Sequence, residues 1–230
     1  MDTTVDFSDI LTFNPAYETI DDFLSDVKPS TTYTTYGPWI HVHKDPPPVT
    51  SKLTQQHMNG YHDLMSACEA KCAAGRPREK AQFKKECRED LIRMAIANND
   101  VGGKWIIFPF AKRVDDVWKA IAKATWEGQL THHAKVATTS TTHQPALYPI
   151  CIYTPDFRDR TTLGRILKKL QNMGLVKRSK EDTDVKRMDA FFKPDVFTRL
   201  GMYHHASGGK GNRGSLRMDP ILYRIDDFAI

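Results

Sequence analysis

Nowhere in its 230 residues does the chain carry an uninterrupted apolar run of about 18 residues, the length a membrane helix needs. The opening Met1-Asp2-Thr3-Thr4-Val5-Asp6 has no basic region, so neither a membrane span nor a signal peptide is expected. Cysteine is scarce. Cys68, Cys72, Cys87 and Cys151 are too few for a disulfide framework at this length. That fits a reducing compartment, with the cytoplasm as the expected location and the nucleus as the alternative. Absent too are Gly-x-Ser-x-Gly, His-Glu-x-x-His and the dinucleotide-binding glycine pattern, which sets aside the common serine hydrolases, zinc proteases and nicotinamide enzymes. No internal repeat is visible, and no cofactor is implied.

Lys and Arg are missing altogether from residues 1–27, which hold seven acids, so a net charge of +5 for the whole chain leaves +12 on the rest. A basic body favours a polyanionic partner, nucleic acid or phosphate. The acidic arm, residues 1–28, also carries Phe7, Ile10, Leu11, Phe13, Ile20, Phe23 and Leu24, so it is expected to pack on the body rather than to act as a competing polyanion. Hydrophobic residues at 40% and charged residues at 27% are globular values. Residues 29–230 read as one α+β domain.

Within it, Trp39-Ile40-His41-Val42-His43 alternates as a short strand, and Pro46-Pro47-Pro48 ends it. Tyr61, Leu64, Met65, Cys68 and Cys72, then Phe83, Cys87, Leu91 and Met94, recur at helical steps on either side of Gly75-Arg76-Pro77. These form a helical hairpin, about 53–97, inserted between two strands. Further strands are expected at Lys104–Phe110, Ala134–Thr139, Tyr148–Thr154, Phe191–Phe192, Gly201–His205 and Ile221–Ile225, with helices over Val114–Thr125 and Leu163–Met173. Asp156 and Asp159, with Thr161, read as caps for the second of these.

Strand alternation separates the candidate site from the core. If Trp105 and Ile107 meet the helices, Lys104 faces the opposite way, as do Lys135, Ala137, Thr139, Cys151 and Tyr153 on their strands. Lys104, Lys135 and Tyr153 then share an open face with the parts for holding phosphate and stacking a base. The glycine-rich run Gly208–Ser215 offers Lys210 and Arg213 as further phosphate ligands, although its order is not that of a P-loop. A zinc reading of Cys68, Cys72 and Cys87 with His57 and His62 gives way to core packing, since the cysteines lie on apolar stripes without a Cys-x-x-Cys pair. In His132-His133 and His204-His205, strand neighbours point to opposite faces. Neither pair chelates by itself, so no metal is expected, although one member of each can reach the open face.

From Trp39 to Ile225 the order of motifs resembles the basophilic leukaemia expressed protein family. Gly103-Lys104-Trp105, Val117-Trp118-Lys119-Ala120-Ile121-Ala122, Glu127-Gly128-Gln129-Leu130, Ile150-Cys151-Ile152-Tyr153-Thr154-Pro155-Asp156-Phe157-Arg158-Asp159 and Lys193-Pro194-Asp195-Val196-Phe197-Thr198-Arg199-Leu200-Gly201-Met202-Tyr203 carry the likeness. It implies a fold similar to the mRNA cap-binding translation initiation factors: a curved antiparallel sheet with helices on its convex face. In that more distant likeness Gly102-Gly103-Lys104-Trp105 resembles the factor's Gly-Gly-Arg-Trp, which would put Lys104 near the cap phosphates. Tyr153 falls where the factor has a tryptophan, and Lys210 in its phosphate loop. The two tryptophans that sandwich the cap have no counterpart, with Met94 and Pro46–Pro48 in their regions, and stacking contributes about 1–3 kcal/mol per base. Ordinary cap recognition is therefore not expected.

The expected function is binding of RNA, an RNA 5′ end or a phosphorylated small ligand through Lys104, Lys135, Tyr153, Lys193, Tyr203, Lys210 and Arg213. Two alternatives stand beside it. Some relatives carry a phosphothreonine lyase label, which would cast Lys135 as base, one of His132, His133 or His204 as acid, and Lys104 and Lys193 as phosphate ligands. The other is a protein-interaction module docking through the acidic arm or the helical hairpin.

Overall fold

A computed structural model describes residues 11–44, 53–142, 144–202 and 218–228. Alternating half-buried and buried side chains produce β1, Trp39–His43, and β3, His133–Ala137. More fully buried runs give β2, Gly103–Ile107, and β4, Ile150–Thr154, with β5, Phe191–Pro194, and β6, Tyr223–Arg224, completing the set. They form a six-stranded antiparallel sheet in the order β1-β3-β4-β2-β5-β6.

One face of the sheet is dry. Ile40, Val42, Val136, Ile150, Ile152, Trp105 and Ile107 are fully buried there. Helices α4, Val114–Trp126, and α5, Arg160–Asn172, cover them with the stripes Val117, Trp118, Ile121 and Leu163, Ile166, Leu170. The indole N–H of Trp105 donates to the Leu163 carbonyl at 3.2 Å, tying the central strand to α5. Asp159 caps α5 by accepting from the Thr162 amide at 3.0 Å, whereas Asp156 holds the Arg158 guanidinium instead. Gly128 closes the turn after α4 at φ +73°, a backbone conformation that L side chains rarely adopt.

The helical hairpin is α2, Gln55–Ala74, and α3, Pro77–Ala97. His57 caps α2, its Nδ1 accepting from the Thr54 amide while the Thr54 hydroxyl accepts from the His57 amide. The cysteines in the hairpin are not all simple core residues: Cys68 and Cys87 form a disulfide, because the two apolar stripes face each other with these Cα atoms 6.0 Å apart. Cys72 remains a buried free thiol. Buried Asp100, accepting from the Tyr61 hydroxyl at 3.3 Å and paired with Arg199, links the hairpin to the short helix α6, Asp195–Arg199.

In the described part of the acidic arm, Leu11, Phe13, Phe23 and Leu24 lie in the core, the last two on helix α1, Ile20–Asp26. The chain at Leu11–Phe13 also runs alongside the edge strand, where the His41 amide donates to the Leu11 carbonyl at 2.7 Å and the Phe13 amide to the His41 carbonyl at 3.0 Å. Residues 1–10 and the strand expected at Gly201–His205 lie wholly or mainly outside the described residues, as does the Ser207–Ser215 loop.

Candidate functional site

The face opposite α4 and α5 carries the polar residues. Register pairs His43 with His133 across β1 and β3, and Lys104 with both Tyr153 on β4 and Lys193 on β5. The His133 ring joins the two groups by stacking on Tyr153, centroids 4.5 Å apart and planes within 4°. Beside this row runs a second, in which Lys135 is paired with both His41 and Cys151. Strand alternation therefore places one residue in two from each strand on a shared surface.

Three lysine ammonium groups converge here. Lys104 Nζ lies 5.2 Å and Lys135 Nζ 5.5 Å from the Tyr153 ring centroid, and Lys135 also sits 4.2 Å over Trp39. Lys104, expected to be open to solvent, is on the expected face but buried: α6 closes over it, placing Asp195 Oδ1 at 2.5 Å and the Thr198 hydroxyl at 2.9 Å. Lys193 is buried as well and donates to the Met202 carbonyl. Cys151, expected to be exposed, is buried beneath the lysines, and Thr139 is enclosed with its hydroxyl accepting from Tyr148 at 3.0 Å. Alternation fixes which face a residue takes; whether other elements roof that face is a tertiary matter.

Burial governs the electrostatics. Desolvation, with the nearby Lys104 charge, lowers Lys193 from 10.5 to about 7, and desolvation lowers Lys135 as well. Burial raises the Tyr153 phenol and the Cys151 thiol, so both stay protonated. At neutral pH Lys193 is poised between its two states, beside Lys104 and its partner Asp195.

Histidines assemble across strands in a way the adjacent pairs did not suggest. His43 and His133 stack at 4.0 Å, and His41 Nδ1 lies 3.2 Å from His133 Nε2. Desolvation first, then the neighbouring charges, brings His133 down to about 2 and His41 to about 4, and lowers His43. All three rings are neutral near pH 7. His132 lies beside the Thr131 hydroxyl, its ring 6.5 Å from that of His133. The signal for the trio was present in the alternation of His41 and His43 with Ile40 and Val42, but it becomes legible only once β1 is known to pair with β3. Of the other expected site residues, Tyr203, His204, Lys210 and Arg213 lie outside the described residues.

No helix among the described residues is long and apolar enough to cross a membrane. A family model described as basophilic leukemia-expressed protein Bles03 matches residues 12–201, and the chain belongs to that family.

Proposed function

We propose that the sheet face around Tyr153 binds a phosphorylated ligand, an RNA 5′ end or a nucleotide. The observation that supports this reading is the gathering of Lys104 and Lys135 around the Tyr153 ring, with Lys193 beside Lys104 on the next strand and Asp195 paired to Lys104. In a poorly hydrated setting an ammonium holds a phosphate oxygen more strongly than a solvated surface lysine does. Half-buried Lys135, stacked between Trp39 and Tyr153, is the ammonium best placed to meet a ligand. The resemblance of Gly102-Gly103-Lys104-Trp105 to the cap-binding factors supports a nucleotide as the phosphate's carrier. One side of Tyr153 is already taken by His133, and the cap-sandwiching tryptophans are missing, so the base contributes less than the phosphates.

Titration of a short 5′-phosphorylated RNA at several salt concentrations tests the reading. Affinity should fall linearly in log–log form, with a slope near −0.7 per neutralised phosphate for a single strand, and Lys135→Gln should reduce that slope by about one such step. Binding that is absent, or indifferent to salt, overturns it.

The low pKa of Lys193 favours one second reading, elimination of phosphate from a phosphothreonine peptide. A neutral lysine amine takes the Cα proton, the electron pair forms the Cα=Cβ double bond, and the Cβ–O bond breaks to release phosphate. Lys193, at about 7, fits the role of base better than Lys135 does. His133, held neutral, cannot serve as an imidazolium acid there. Phosphate release together with an unsaturated peptide is the expected result, and a folded protein that leaves phosphothreonine peptides intact rejects it.

A further inference from the structure

We infer that His41, His43 and His133 form a binding site for a zinc-type divalent cation on the open sheet face, independent of any phosphorylated ligand. One ring nitrogen from each residue lies within 4.8 Å of the others. The 3.2 Å between His41 Nδ1 and His133 Nε2 is close to the roughly 3.3 Å that separates two nitrogens bound to one tetrahedral zinc at 2.0–2.1 Å each. Imidazole nitrogen suits zinc, copper and nickel rather than magnesium or calcium, which take oxygen.

The site is built on rigid elements. His41 and His43 alternate on β1, His133 stands opposite His43 on β3, and the His41 backbone is pinned from the outer edge by donating to the Leu11 carbonyl and accepting from the Phe13 amide. His43 Nδ1 is buried and has no hydrogen-bond partner, a cost that a metal bond would remove. The rings now lie nearly parallel, within 14° of one another. Their lone pairs converge on one ion after rotation about χ2, a soft torsion in histidine.

Three neutral ligands leave the dication its full charge and a coordination position open to water, hydroxide or an anionic oxygen. His133 stacks on Tyr153, so that position adjoins the lysine face. The same three imidazoles are spread over residues 41 to 133, which is why no local motif announces them.

The full chain, stripped with a chelator, should be titrated with Zn²⁺ against a chromophoric competitor, with Mg²⁺ as comparison. The expected result is saturable uptake of a single equivalent of Zn²⁺ and no response to Mg²⁺. His41→Gln, His43→Gln and His133→Gln should each weaken Zn²⁺ by at least about tenfold, whereas His57→Gln/His62→Gln should not. Histidine NMR spectra of the unaltered chain read the same site without relying on any variant: the signals of His41, His43 and His133 should shift together on adding Zn²⁺. Absence of saturable uptake, retention of uptake when all three are replaced, or shifts confined to other histidines would overturn the inference.

Discussion

Replacing Asp195 by Asn should make the protein less stable and a better binder of phosphate at the same time. The carboxylate lies 2.5 Å from Lys104 Nζ, and the two side chains are only 18% and 7% exposed. Asn keeps the shape and removes the charge, which leaves the Lys104 ammonium buried with only neutral acceptors, the Asn amide oxygen and the Thr198 hydroxyl, in place of a carboxylate. Losing one partner of a buried ion pair costs about 3–5 kcal/mol, because the other charge stays desolvated and uncompensated. For a chain of this size that is a fall in melting temperature of roughly 6–20 °C. Phosphate meets the opposite balance. The ammonium no longer serves an internal carboxylate, so one charge-assisted hydrogen bond becomes available to a ligand, a gain of about tenfold in affinity. Urea midpoints measure the first effect and titration with 5′-phosphorylated RNA the second. Replacing both partners, Lys104→Met with Asp195→Leu, should recover most of the stability while abolishing the gain in binding. A loss below about 1 kcal/mol in Asp195→Asn would refute the buried-pair argument. Unchanged RNA affinity would refute a role for Lys104 in phosphate binding.

The depressed Lys193 predicts a pH dependence of known sign. Between about pH 7 and 10.5 the unfolded chain holds a proton that the folded chain has lost, so stability should rise with pH in that window and be flat with respect to this group below it. Lys104 on β2, Cys151 on β4 and Asp195 on α6 face the amine, and Lys193→Met should flatten the rise in urea midpoint between pH 7 and 9. Gly103→Ala should cost about 1–3 kcal/mol in urea unfolding, since a Cβ there would stand 2.6 Å from Phe192 Cζ, with the Lys193 carbonyl at 3.2 Å. Cys68→Ser with Cys87→Ser should lower stability by about 3 kcal/mol, because the bridge closes a loop between residues 19 apart. The unaltered chain in strong reductant should then match the variant, and a difference between them would place the effect elsewhere.

Element identity was readable locally because it depends on local period. Trp105 and Ile107, predicted to meet helices, are fully buried under α5 and its neighbours, and the two stripes flanking Gly75-Arg76-Pro77 form α2 and α3. The convergence of Lys104, Lys135 and Tyr153 also followed from period-two alternation, once their strands were taken to share a sheet. Their environment did not follow. Lys104 and Cys151 were expected in solvent, and only the tertiary structure shows that one is locked to Asp195 on α6 and the other enclosed beneath the lysines.

The disulfide and the histidine trio were hidden for the same reason. Cys68 and Cys87 read as two apolar stripe positions until the hairpin sets their Cα atoms 6.0 Å apart, and His41 and His133 belong to distant segments until β1 pairs with β3. By itself the sequence determined which residues turn inward and which outward on each strand and helix, since backbone periodicity is a property of a few consecutive residues. Only the tertiary structure decided which outward residues face one another and which are roofed over, because strand order and helix docking are set by the burial of the whole core, and desolvation and charge coupling at this face depend on neighbours far away in the chain.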